Sequence, residues 1–144
     1  MIAIDTNLLV YAHRGESEWF AAASEAVRRM AESRSPWCIA WPCIHEFLAI
    51  VTHPRIYKPP TPLVDALRQV DLWLESPSLR LIGEAEDHWR ELTAILRAGK
   101  VHGGAVHDAR VAAICQAHGV REIWTMDRDF SRFPGVRAVN PLVL

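Results

Sequence analysis

The sequence predicts an α/β fold of three layers, α/β/α, with a mainly parallel central sheet. Three observations predict it. Short apolar runs recur along the chain, as in Ile2-Ala3-Ile4 and Trp37-Cys38-Ile39-Ala40. Runs apolar on consecutive residues suit strands buried on both faces. Between these runs lie longer segments with apolar residues at helical spacing, and strand–helix alternation of this kind builds parallel sheets with helices on both sides. The 144 residues, 50% of them hydrophobic, are enough for one core, so a single domain over residues 1–144 is expected.

The elements follow in order. Ile2-Ala3-Ile4 is too short for a core helix and reads as a buried strand. Thr6-Asn7 breaks that run, and Leu8-Leu9-Val10-Tyr11 continues as an apolar turn or short helix. Residues 16–33 are expected to be helical, with Phe20, Ala23, Val27 and Met30 on one face. Pro36 ends that region and Trp37-Cys38-Ile39-Ala40 reads as a second strand. Pro42 suits the first turn of a new helix, whose stripe is Ile44, Phe47, Leu48 and Val51 and whose stop is His53-Pro54. Lys58-Pro59-Pro60-Thr61-Pro62 is a rigid loop, with Thr61 capping a helix over residues 62–75 that buries Leu63, Leu67, Val70 and Leu74. Leu79-Arg80-Leu81-Ile82 is a third strand. Residues 84–96 form a helix with Trp89, Leu92 and Leu96 inward. A connection over residues 99–104 leads to a helix over 105–118, closed by Gly119. Glu122-Ile123-Trp124-Thr125 is a fourth strand, Asp127-Arg128-Asp129-Phe130 a loop or helix start, and residues 135–139 a last short strand.

Bulk properties narrow the function classes. No apolar stretch approaches the ~20 residues of a membrane span, and the N-terminus shows neither a basic region nor a cleavable signal pattern. Three cysteines, Cys38, Cys43 and Cys115, lie in apolar surroundings without a metal-binding spacing, which reads as buried thiols in a cytoplasmic protein. The formal charge of -1 balances 16 basic against 17 acidic residues and does not decide for or against nucleic acid. Lys58 and Lys100 are the only lysines; arginine dominates, and arginine suits bidentate phosphate contacts.

Four acids carry the chemistry: Asp5, Glu46, Asp108 and Asp127. Asp5 and Asp127 follow strands directly, at the edge where parallel sheets place their sites. Glu46 and Asp108 lie on helices entered from that edge, and Asp108 shares a side with Val111, Ala112 and Cys115. Each alone has a plain alternative as a helix-cap, turn or helix-terminus acid. Gathered together, they would repel unless a cation sat among them, and a hard divalent ion with oxygen ligands fits. Mg²⁺ or Mn²⁺ is therefore the expected cofactor, and hydrolysis at phosphorus the expected chemistry. Thr6, Asn7 and Thr125 are candidates for orienting the ligands. Asp129 is auxiliary, either a cap for the turn at Phe130 or support for a second ion. Arg14, Arg110 and Arg128 are candidates for a phosphate-binding rim. Trp37, Trp41 and Trp124 read as core or interface groups.

Taken in order, Met1-Ile2-Ala3-Ile4-Asp5-Thr6-Asn7, Glu46, Val106-His107-Asp108-Ala109 and Trp124-Thr125-Met126-Asp127-Arg128-Asp129-Phe130 resemble the PIN-domain nucleases, especially the VapC toxins of bacterial toxin–antitoxin pairs. The resemblance runs from end to end. It implies a PIN-like fold and a metal-dependent endoribonuclease cleaving RNA, with Asp5, Glu46, Asp108 and Asp127 as catalytic metal ligands. Thr6, Asn7 and Thr125 match supporting positions, and Asp129 an acid less uniformly present. It further implies a homodimer and a cognate VapB-type antitoxin that blocks the site. The surface around Trp19, Phe20 and the Pro59–Pro62 loop is expected to contact a partner. Three alternatives remain open from the residues: a structure-selective DNA nuclease, a non-catalytic metal-binding interaction domain, and an aspartyl-phosphate phosphohydrolase. The last is disfavoured because Asp5-Thr6-Asn7 has no second acid two residues on.

Overall fold

The computed structural model describes residues 1–143. Five strands, β1 (Ile2–Ile4), β2 (Trp37–Ala40), β3 (Leu79–Ile82), β4 (Glu122–Trp124) and β5 (Arg137–Val139), form one sheet in the order β3-β2-β1-β4-β5. Every pairing is parallel, with Ala3 opposite Cys38 on one side and Ile123 on the other. The chain steps outward from β1 through β2 to β3, then crosses back to lay β4 on the far side of β1. That reversal makes β1 and β4 the topological switch point, where parallel sheets form their crevice.

Six helices connect the strands: α1 (Thr6–His13), α2 (Phe20–Glu32), α3 (Trp41–Val51), α4 (Leu63–Leu74), α5 (His88–Gly99) and α6 (Ala105–Ala117). Two packed groups, α1 with α2 and α3, and α5 with α6, flank the sheet and give the three-layer α/β/α arrangement. Trp37, Phe47, Ile4, Leu8, Leu9, Ile39, Ile114 and Ile123 are fully buried between the layers. β1 and β2 are apolar throughout because side chains on both their faces enter this core. Gly119, just past the end of α6, takes a φ of +70°, a conformation that a Cβ would strain.

Several sequence expectations need correction. Thr6 and Asn7 do not interrupt the chain; they begin α1, because Asp5 caps the helix by accepting from the Thr6 amide. The helix expected over residues 16–33 starts only at Phe20, after a turn in which the Phe20 amide bonds back to the Ser17 carbonyl. Thr61 is buried but does not cap α4: its hydroxyl receives Arg14 and contacts His13 instead. α4 itself is turned the other way. Ala66 and Trp73 are buried, and Leu63, Leu67 and Leu74 stand exposed. Trp89 is 74% exposed rather than inward, while Leu92 and Leu96 pack against the core from α5. No helix among the described residues is long and apolar enough to cross a membrane. All three cysteines are buried and free.

Candidate active site

Asp5 leaves the carboxyl end of β1 and is almost wholly buried. Its Oδ1 accepts from the Thr6 amide at 2.8 Å, and its Oδ2 accepts from the Thr125 hydroxyl at 2.8 Å. Thr125 follows β4, the neighbouring strand, so the bond spans the switch point. The Thr125 oxygen also accepts from Asn7 Nδ2 at 3.3 Å and from the Asp127 amide at 2.9 Å. With two donors entering, its own proton is committed to Asp5. Asn7 completes the clasp: its Oδ1 accepts from the Met126 amide at 3.3 Å. Thr6 and Asn7, beside Asp5 in sequence, and Thr125, far from it, thus fix one carboxylate and the backbone that carries a second.

That second carboxylate is Asp127. It caps the 3₁₀ turn over Arg128–Arg132 by accepting from the Asp129 amide at 2.8 Å. Glu46 comes from α3, exposed on the helix side nearest the crevice, and Asp108 from the first turn of α6, half-buried. Asp5, Glu46, Asp108 and Asp127 all line one cavity of about 340 Å³, together with Thr6, Asn7, Pro42, Cys43, His45, Ala49, His107, Arg110 and Val111.

The charges press on one another. Burial pushes the Asp5 carboxyl up to about 6; the Thr125 and Thr6 hydrogen bonds pull against this, and Glu46 and Asp127 add to it. Asp108 is also raised to about 6, by burial first and then by Asp5, Asp127, Glu46 and Asp129. The buried Cys43 thiol is pushed well above its ordinary range, so it stays protonated and points its hydrogen toward Asp5 Oδ1 at 3.8 Å. None of the nine ion pairs among the described residues involves any of the four cavity acids.

A family model described as PIN domain matches residues 2–136, a span that contains all four acids. The chain belongs to the PIN domain family. Ribonuclease VapC48 of Mycobacterium tuberculosis is 30% identical over 137 residues, covering 95% of this chain and 94% of that one. Among solved structures, VapBC2 from Rickettsia felis, bound to a DNA fragment from its promoter, matches with a TM-score of 0.69 at 17% identity and covers 96% of this chain and 98% of that chain. A toxin–antitoxin complex from Klebsiella pneumoniae matches at 0.66 and 19% identity, covering 98% of each. At these identities the two structures speak for the fold, and they carry the same PIN arrangement as the sheet described above.

Within this PIN domain the three arginine candidates part company. Arg110 lines the acid cavity, where its Nε donates to Glu84 at 2.6 Å. Arg14 does not reach it. Its guanidinium donates to Thr61 and to the Pro59 carbonyl, pairs with Glu16 and lies 4.3 Å over the Tyr57 ring, so it ties α1 to the proline-rich loop. Arg128 is exposed beside a neighbouring depression that shares Asp127. Asp129 does not line the cavity, but its charge contributes to raising Asp108. Sequence reasoning missed Cys43 and left His45 and His107 out of the site. The spacing of Cys43 to Glu46, three residues on one helix, is the signal that could have found the first.

The donor set suits a hard divalent cation. All four acids offer carboxylate oxygens and the Cys43 thiol stays protonated, so oxygen donors outnumber the two imidazoles, His45 and His107, in the lining. Among the described residues, no three His, Cys, Asp or Glu groups are drawn to coordinating distance of a single point. The acids therefore ring the cavity rather than converge at its centre. The exposed Glu46 and half-buried Asp108 are the members with room to adjust; Asp5 is held on both oxygens.

Proposed function

We propose that this PIN domain is a metal-dependent endoribonuclease toxin that cleaves RNA phosphodiester bonds and is neutralised by a VapB-type antitoxin. The observation that carries the reading is one cavity at the sheet's switch point lined by four carboxylates from four separate elements, two of them, Asp5 and Asp108, raised in pKa by burial and by neighbouring acids. The ribonuclease name of the M. tuberculosis relative supports the substrate class. The solved VapBC and toxin–antitoxin complexes of the same fold support the partner.

Asp5, Glu46, Asp108 and Asp127 would hold Mg²⁺ or Mn²⁺. Such an ion supplies Lewis acidity toward an attacking water and toward the phosphoryl oxygens. The chain's own groups do the positioning. Thr125 holds Asp5 Oδ2 and, through the Asp127 amide, sets the distance between the two strand-end acids. Asn7 locks Thr125 and the Met126 backbone in register. Arg110 is the cation placed to meet the substrate phosphate, exchanging its exposed partner Glu84 for a phosphate oxygen. Residues 1–144 act as one nuclease unit, as a homodimer in the cytoplasm. The apolar side chains that α4 leaves open, Leu63, Val64 and Leu67, give the partner reading further support.

The test is end-mapping of cellular RNA after incubation with purified protein, beside an Asp5→Asn preparation and a chelated control. Cuts that vanish in both controls are expected. Matched DNA oligonucleotides run in parallel: cleavage of DNA alone would replace this reading with a DNA nuclease, and no cleavage of either with a non-catalytic domain.

A further inference from the structure

We infer that Trp41 and His45 form a stacking platform for one unpaired nucleobase of the RNA, beside the acid cavity. The inference rests on the ribonuclease reading and adds to it where a flanking base is held. Trp41 is the first residue of α3, directly past the carboxyl end of β2, and it is 43% exposed. Its indole rests against the backbone just beyond β3: a Cβ on Gly83 would lie 3.4 Å from Trp41 Cδ1. His45, one helical turn on, lies at a ring separation of 6.2 Å and a tilt of 34°. His45 lines the acid cavity, and Glu46 is the next residue. The two rings therefore lead from open solvent to the carboxylates along one helix edge.

Exposing an indole at a helix start forfeits apolar burial, and other tryptophans of the chain show the contrast. Trp37 and Trp73 are buried, and Trp19, 39% exposed, packs on Tyr11 at 4.9 Å, away from the acid cavity. Trp89 is more exposed but sits on α5, which contributes no residue to the acid cavity, whereas Trp41 shares α3 with the cavity residues Pro42, Cys43, His45 and Glu46. Among the tryptophans of the described residues, Trp41 is the one in ring–ring contact with a cavity residue, His45. On the same side, Arg110 lines the cavity and pairs with Glu84, the residue after Gly83. An aromatic face beside a cation is the pairing that single-stranded RNA uses: the base stacks and the adjoining phosphate meets the guanidinium. Every base offers a π-face, so this platform selects unpaired over paired RNA without reading base identity.

The experiment compares Trp41→Ala and Trp41→Phe with the parent on a single-stranded RNA oligonucleotide known to be cut, and on versions made abasic at each position flanking the cut. In the parent, one abasic position should lower kcat/KM about tenfold, the value of one base–aromatic stack. Trp41→Ala should lower kcat/KM on the intact oligonucleotide by a similar factor, chiefly through KM, and lose its sensitivity to that abasic position. Trp41→Phe should restore most of both. Unchanged KM in Trp41→Ala overturns the platform, and so does a changed oligomeric state by light scattering, which would assign the indole to a protein interface. A parent that cuts no RNA would fail the ribonuclease reading instead. The platform is then decided by oligonucleotide anisotropy, where equal affinity of parent and Trp41→Ala overturns it and a loss of about tenfold supports it.

Discussion

Raising the pH through the acid range should weaken the fold of the chelated protein, and Asp5 should be a principal cause. In the fold this carboxyl keeps its proton to about 6, because burial disfavours the charge; its ordinary value is 3.8. Between those two values the native state binds more protons than the unfolded chain, so stability falls as pH rises. The contribution is fully present below 3.8 and gone above about 6. A carboxyl shifted that far couples folding to pH by about 3 kcal/mol. The group is nearly solvent-free, so screening takes little from that figure. Asp108 is raised over the same range, and Asp5→Asn isolates Asp5. Asparagine would carry no charge, and its amide would set an N–H against either the Thr125 hydroxyl or the Thr6 amide, a mismatch of about 1–3 kcal/mol present at every pH. Urea unfolding in EDTA, followed by tryptophan fluorescence from about pH 3 to 7.5, should show the parent losing about 3 kcal/mol more than Asp5→Asn across the range. Asp108 should add to the difference in the same direction, since Asp5 is one of the charges that raise it. Parallel stability curves for the two proteins would refute the reasoning, because they would mean that Asp5 is ionised in the fold without cost.

Other outcomes test separate parts of the structure. Thr125→Val removes three hydrogen bonds at Asp5, Asn7 and Asp127; it should cost roughly 1–3 kcal/mol in urea unfolding and reduce cleavage far more than it reduces folding. Arg14→Ala should destabilise by about 1–3 kcal/mol through the loss of its charged hydrogen bonds, while RNA cleavage by the remaining folded protein stays near the parent rate. Trp73→Ala should cost about 3–5 kcal/mol, whereas Leu67→Gln, on the open side of the same helix, should shift the isolated chain by less than about 0.5 kcal/mol.

How far the sequence reveals this fold depends on what each element buries. β1 and β2 are legible because strands covered on both faces are apolar at every position, and both are read to the residue. α3 is legible because its stripe is its only buried side. α4 misleads because it carries apolar residues on more than one side, and spacing alone does not say which side the core takes. The protein buries Trp73 and Ala66 and leaves the more regular leucine row outside. The start of α1 is hidden for a local reason: Thr6 and Asn7 look like breakers until Asp5 is recognised as their cap, although Leu8 to Tyr11 already reads as a turn or short helix.

The site is legible in its acids and not in what holds them. Asp5, Glu46, Asp108 and Asp127 sit at ends of apolar runs or on half-buried helix sides, and the chain brings all four to one cavity. The Asp5–Thr125–Asn7 clasp joins positions some 118–120 residues apart, a pairing that only the β1–β4 register creates. Charge type likewise cannot separate Arg14 from Arg110, since one guanidinium braces a loop and the other lines the cavity.

The cost of the cavity acids argues for function more strongly than their position does. A lone buried carboxylate can be made harmless by an ion pair, yet among the described residues the arginines and lysines pair elsewhere or not at all near these four. The relief the chain does supply is uneven. Asp5 receives two hydrogen bonds that favour its charged form, whereas burial and four neighbouring acids all push Asp108 the same way. Any positive charge entering the cavity should therefore lower the proton affinity of both carboxyls, because it offsets the burial and the acid–acid repulsion that raise them. Titration of side-chain carboxyl ¹³C shifts with and without Mg²⁺ would show it. The Asp108 and Asp5 midpoints should both fall from about 6 toward the ordinary carboxylate range. An unmoved Asp108 midpoint at saturating Mg²⁺ would remove it from the ligand set.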